Sequence, residues 1–578
     1  MSDSNVGARH GRNIRNHTFV VNSIINDAIV KKTRPVDLAI MDFQKCFDIL
    51  APTVVNNDLY DLGIRNNELN LIHESDRVSH IAVKTPVGVT KRVSCENFVA
   101  QGDVLAPLKC CVSVDKMAES HAENLSEHLY KYKSLVAIPP LTMVDDTIIA
   151  SDCGPNSVMA TAHHNAQTNI KKLQFGQDKC IKMHVGISTM ICPQNEIDTW
   201  DLKRKSEESK TILDLVDVES DPHYMEMEDN WKYLGDILSS DGKNDSNIKD
   251  IVQRGLGAVT NICQTLKDLC LGPYHYEAAV ILRDSLLLST LLSNSEAWVN
   301  LSNNNIKDLE SVDEHFLRNI FREAHSKTSL LAKTPLELLY LETGCIPIRF
   351  ILKSRRLNFL HYILNDKEDS LLSNVFKAQC DNPVKGDWIT TVKSDMEEFG
   401  MKLTFEEIRS QTKDSFKRTV KKYVADSALN YLKELQKDHS KSKPLHYQKL
   451  ALQEYLTANN LMTIREKQFT FAARARMIDL KCNFKIGHKD LKCRLCKTHE
   501  ENQQGLLICK VLRESPTDID TSDTYSDLYS TDKKKITKIA MTLRCKYQKF
   551  KHYQVHGKNK TNDFPFAASL ALDSGDMD

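Results

Sequence analysis

Leu141-Thr142-Met143-Val144-Asp145-Asp146-Thr147-Ile148-Ile149-Ala150 sets two adjacent carboxylates between two short, mostly apolar runs. The pattern predicts a hairpin with the acids at its turn, entered from Pro139-Pro140. Neighbouring anions repel, so a fold that displays them gains from a cation between them. An isolated Asp-Asp is more often an ordinary turn, and the weight therefore falls on a further acid upstream. Val36-Asp37-Leu38-Ala39-Ile40-Met41-Asp42 reads as an apolar strand, Leu38 to Met41, that ends in a carboxylate, with Phe47 following five residues later. Two strand ends bearing Asp42 and Asp145/Asp146 make a candidate site for a pair of Mg²⁺ ions and phosphoryl transfer.

Between them lies Ala100-Gln101-Gly102-Asp103-Val104-Leu105-Ala106-Pro107-Leu108, whose glycine permits close backbone approach and whose end opens a helical run. In order and wording, the three stretches resemble motifs A, B and C of reverse transcriptases, most of all those of the non-LTR (LINE-like) retrotransposon class. The resemblance runs from about Asn13 to about Cys509. It implies an α+β fold: a right-hand polymerase palm with an antiparallel sheet, then a helical thumb and a mostly helical C-terminal region. Asp42 and Asp145 would bridge two Mg²⁺ ions with Asp146 in support, and the partners would be an RNA template, a DNA primer and dNTPs. Phe47 would lie under the sugar and exclude a 2′-hydroxyl, or be plain core; Gln101 and Gly102 would meet template or nucleotide. Asn169 to Cys180 is similar to motif D, which makes Lys179 either the general acid for pyrophosphate or a surface lysine. Where the family has an aromatic and Ala before the paired acids, this chain has Met143-Val144.

The same resemblance divides the chain into a remnant of the fingers side with a helix leading to the palm (1–35), the palm (36–246), thumb and extension (247–380), a helical region with a cysteine block (387–512) and a polar tail (513–578), helical in part and disordered after Ala567. Asp381 to Gly386 is the expected linker, and Asn195 to Asn230 an acidic loop ahead of the Trp231–Leu238 hairpin. Few residues precede Asp42, so the chain reads as truncated, with fingers and endonuclease largely absent. Cys493-x₂-Cys496 is the first half of a candidate zinc site, with His499 and Cys509 as later ligands. Relatives place a histidine where Gly505 stands.

Composition is that of a soluble globular protein, 41% hydrophobic and 27% charged, in a 578-residue chain long enough for several domains. The 77 basic and 77 acidic residues cancel, which counts mildly against nucleic-acid binding, where a basic excess is the usual footprint. Charge is nevertheless uneven: from Met401 to Cys496, 21 Lys/Arg stand against 10 Asp/Glu, although a basic tract is usually just a solvated face. The 16 cysteines read as reduced, no apolar leader opens the chain, and no run reaches membrane-spanning length, so an intracellular protein with no membrane partner is expected. Two rivals to the polymerase are a catalytically inactive nucleic-acid-binding relic and a two-metal nuclease; the second does not call for Phe47 or Gln101-Gly102.

Overall fold

Val36–Asp42 forms strand β1 in a computed structural model of the chain, buried along its length to Met41. The structure describes every residue except 1, 8, 10, 32–33, 44, 77–79, 95–98, 100–102, 153–159, 161–162, 165–166, 169–170, 172, 174, 177–178, 187–225, 323–333, 440–444, 461, 484–489, 514–520 and 557–578. Two compact units result: residues 1–253, 292–309 and 351–423 form the first, and 254–291, 310–350 and 424–578 the second. Helix and small sheets are mixed, and strand pairing is antiparallel with one parallel exception in the main sheet.

In the first unit, β2 (Leu141–Met143), β3 (Asp146–Asp152), β4 (Ile181–Val185) and β5 (Glu226–Met227) join β1 in the order β5-β4-β1-β3-β2. Among the described strands of this sheet, β4 and β5 alone run parallel. A central strand covered on both faces must be apolar almost throughout, and the one charge inside β1, Asp37, is buried against His184 Nδ1 at 2.9 Å. Helix α1 (Ile14–Lys31) lies against β1 and β4, and its Phe19 meets Trp388 and Phe359 edge-on at 5.4 and 5.8 Å. Beyond β1 come α2 (Cys46–Ile49), α3 (Pro52–Asp61), α4 (Asn66–Asp76) and α5 (Ala106–Asn124). Phe43, Cys46, Val55, Leu59, Cys110 and Val114 close a core among them. A small hairpin pairs Lys84–Thr85 with Gly88–Val89, and the expected second hairpin forms from β6 (Asn230–Tyr233) and β7 (Asp236–Ser239), turned by Leu234 and Gly235 at positive φ.

Asp381–Gly386 is not a linker. It joins the helices Leu371–Asp381 and Trp388–Glu398 within the first unit, and the adjacent Asp387 is buried in an ion pair with Lys133 Nζ at 2.6 Å. Pro383 and Gly386 (φ +90°) thus end one helix and start the next without parting domains.

The second unit is helical around buried ion pairs. Arg283 donates to both carboxylate oxygens of Asp313 at 2.6 Å, with Tyr340 Oη 2.9 Å from the same group. The helical stretch that starts at His275 is broken by a π turn at Arg283–Leu287. Helix Lys533–His556 buries Ile536, Ile539, Leu543 and Phe550 along one side; the tail after Ala567 lies outside the described residues. Among the described residues no helix is long and apolar enough to cross a membrane.

Candidate active site

Strand register brings the distant acids together. In the antiparallel pair of β1 and β3, Asp42 stands directly opposite Asp146, and directly opposed side chains share a face. Met143 pairs with Asp146 across the β2–β3 hairpin, leaving Val144 and Asp145 as the two turn residues, so Asp146 belongs to the strand rather than to the turn. Two-residue hairpins need positive φ at the first turn position and usually place glycine there. Here Val144 takes it, at φ +61°, a strained state for a β-branched residue. Gly7 makes room for that turn: a Cβ on it would meet Val144 N at 2.9 Å and Cys111 Sγ at 2.6 Å.

The electrostatics are those of crowded anions. Burial, with a contribution from Asp42, raises Asp145 above the usual carboxylate range. Burial, then Asp145 and Asp42, pushes Asp146 up to about 6. Lys179 Nζ donates to Asp42 Oδ2 at 2.7 Å and lowers both neighbours. An all-oxygen donor set with more negative charge than its one lysine neutralises suits a hard divalent cation. Their oxygens are not gathered as tightly as the sulfurs described below.

Lys179 is placed by a clasp that the sequence did not reveal. Phe175 bridges Phe43 and stacks on it at 4.8 Å, and Gly176 N and Cys180 Sγ both donate to the Asp42 carbonyl. An aromatic before Gly176 was the available signal. Phe47 is half-buried against the α2–α5 core, and its carbonyl accepts from Val99 N at 2.8 Å. Gln101 and Gly102 lie outside the described residues. A second unforeseen element is the N-terminal segment. Asn5 bridges Thr142 on the edge strand β2, and His17 links Ser4 O (2.8 Å) to Tyr233 Oη (3.3 Å). An otherwise open strand edge is thereby covered.

In the second unit the sulfurs of Cys493, Cys496 and Cys509 all lie within 4.8 Å of one another, the one such group of metal-competent side chains among the described residues. His499 is not in that set; its carbonyl accepts from Cys493 N at 2.7 Å and closes the turn. A hydrogen bond from Cys509 brings the Cys493 thiol down to about 5, and Cys509 rises in turn. Against burial, which raises it, Cys496 is held low by the backbone of His499 and by Thr498. Gly505 lies in the first turn of the helix Gln503–Ile508, its N–H donating to the capping Asn502 Oδ1 at 2.7 Å. A Cβ there would overlap the Glu500 carbonyl, so no side chain fits.

No family model and no curated protein matches the sequence. Solved structures to which the chain is similar include telomerase from Candida tropicalis in complex with a TWJ fragment of telomeric RNA, at 13% identity and TM-score 0.27, covering 67% of this chain and 53% of that one. The Candida albicans telomerase in complex with a TWJ fragment of telomeric RNA is another, at 11% identity and TM-score 0.28, covering 68% and 53%. The chain spans about half the length of each.

Proposed function

We propose that this chain is an RNA-templated DNA polymerase of the non-LTR retrotransposon kind, carrying out two-metal nucleotidyl transfer. The observation that carries the reading is the pairing of Asp42 with Asp146 beside Asp145, which puts three carboxylates from two distant stretches at one end of one sheet. Asp42, Asp145 and Asp146 would hold two Mg²⁺ ions, which when bound activate a primer hydroxyl and neutralise triphosphate charge. Lys179 holds a proton at Nζ beside Asp42 as the donor for a leaving pyrophosphate. Phe47 offers its half-buried ring to the sugar, and Gln101-Gly102 contact the template or nucleotide. The three thiols of the second unit would hold a structural Zn²⁺ whose fourth donor comes from outside that set.

A non-catalytic nucleic-acid-binding relic is the second reading, favoured by the Lys179–Asp42 ion pair, in which an ammonium already neutralises a carboxylate that a metal would use. Primer extension on an RNA template in Mg²⁺, parent against Asp145→Ala, separates the two. Extension by the parent that the variant loses is the expected result. A folded parent that binds primer–template without extending it rejects the polymerase reading in favour of the relic.

A further inference from the structure

The basic excess between Met401 and Cys496 has a structural focus that the proposed active site does not use. Helix Lys413–Asp438 turns Phe416 and Val420 inward and exposes Lys413, Lys417, Arg418, Lys421 and Lys422. These five cations fall within ten residues of the first unit, and the one acid among them is the exposed Asp414. Among the described residues none of the five has a carboxylate partner, and their one side-chain hydrogen bond runs from Arg418 Nε to the Asp414 carbonyl at 3.2 Å. Further along the same helix the arrangement is ordinary, Lys437 pairing with Glu434 at 2.7 Å.

Such a stripe opposes the helix that bears it. Lys413–Lys417, Lys417–Lys421 and Arg418–Lys422 are like charges four apart on one surface, which is destabilising. The helix dipole favours cations at the opposite end. A row with roughly 6 Å between successive charges, from a rise of about 1.5 Å per residue, is matched by a polymer of regularly spaced anions. A membrane surface would call for large apolar residues beside the cations, and no exposed large hydrophobic occurs between Leu286 and Met541 among the described residues.

We infer that Lys413, Lys417, Arg418, Lys421 and Lys422 form a docking surface for the phosphate backbone of a nucleic-acid duplex, read without regard to sequence. The choice of nucleic acid over other polyanions rests on the polymerase reading. Binding is measured without turnover, however, so the two fail separately: a chain that extends no primer still reports the stripe, and an unchanged salt slope in the stripe variant leaves primer extension by the parent untouched.

The test is fluorescence anisotropy of the full chain with a labelled RNA–DNA hybrid duplex, titrated from about 50 to 200 mM salt, a range over which phosphate contacts dominate affinity. The variant Lys413→Gln/Lys417→Gln/Arg418→Gln/Lys421→Gln/Lys422→Gln should bind about 10-fold or more weakly. Its log–log salt slope should be shallower by about 4, near 0.9 per lost contact. Its helix content should hold, because neutralisation removes repulsion; should it not fold, Lys417→Gln/Lys421→Gln is read in its place, with a slope change of about 2. A folded variant with an unchanged slope overturns the proposal. So does an equal loss from Lys433→Gln/Lys437→Gln on the same helix, or parent binding to phosphatidylserine vesicles that exceeds binding to the duplex.

Discussion

The carboxylates of the first unit meet through strand register, whereas the thiols of the second meet through a local turn and a short helix. Asp42 and Asp146 face each other because β1 and β3 pair along seven residues, and every apolar position of that ladder helps to hold the acids in place. Cys493, Cys496 and Cys509 depend on far fewer groups: the His499 carbonyl on Cys493 N, Lys497 at φ +59°, and the Asn502 cap on Gly505. The first arrangement spreads its support over a core and the second concentrates it at single positions. Damage should therefore be gradual in one and abrupt in the other.

Acid offers the largest contrast. Burial holds His17 and His121 near 4 and His164 near 3, below the ordinary 6.5, with neighbouring imidazoles adding to the shift of the last two. When folding depresses an imidazole, the unfolded chain takes the proton first, so the stability is complete above 6.5 and is lost as pH falls through the folded value. Asp146, raised to about 6, works against this, since its ionisation costs stability as pH rises through the same window. Asp145, also raised, adds to that opposition, and three imidazoles against two carboxylates leave a net loss of stability as pH falls from 6.5 to 4. All three imidazoles belong to the first unit. Hydrogen exchange should show β1 and β3 opening in acid before the helix Gln503–Ile508; simultaneous opening would erase the contrast.

Asp146→Asn should lower primer extension on the order of 10³-fold while leaving the fold intact, and Cys496→Ser should instead lower thermal stability and the gain in stability on adding Zn²⁺. Equal losses of extension in the two variants would mean that the clusters act as one site. Next in size are the core and the cap. Leu38→Ala, at a fully buried position of β1, should cost about 2–5 kcal/mol in denaturant unfolding. Gly505→Ala, whose Cβ meets the Glu500 carbonyl, should cost about 1–3 kcal/mol and abolish the Zn²⁺ gain outright. The smallest effect is expected at the acid turn: Val144→Gly relieves a positive φ and should stabilise the chain by about 1 kcal/mol.

The acids were legible in the sequence because each closes an apolar run of strand length, a pattern written in neighbouring residues. The hairpin of Leu141–Ala150 followed from the same local signal. What was not legible depends on contacts between distant segments. Nothing near Phe175 announces that it stacks on Phe43, and nothing in residues 2–7 announces that they cover β2. The backbone role of His499, whose carbonyl closes the turn on Cys493 N, is another contact that spacing cannot express. Pro383 and Gly386 signalled a break correctly, but a break in a helix and a boundary between domains look alike in one dimension.

The facing of Asp42 and Asp146 has a consequence for how this chain can vary over time. Side chains alternate along a strand, so one residue added or lost within Val36–Asp42 or Asp146–Asp152 would turn an acid to the other side of the sheet while leaving the composition almost unchanged. Exchanges among Val, Ile, Leu and Met in those strands are cheap by comparison. Descendants of this chain should accordingly drift in the lettering of the two strands and stay fixed in their length, and the first change of length would mark the lineage in which the acid pair ceased to matter.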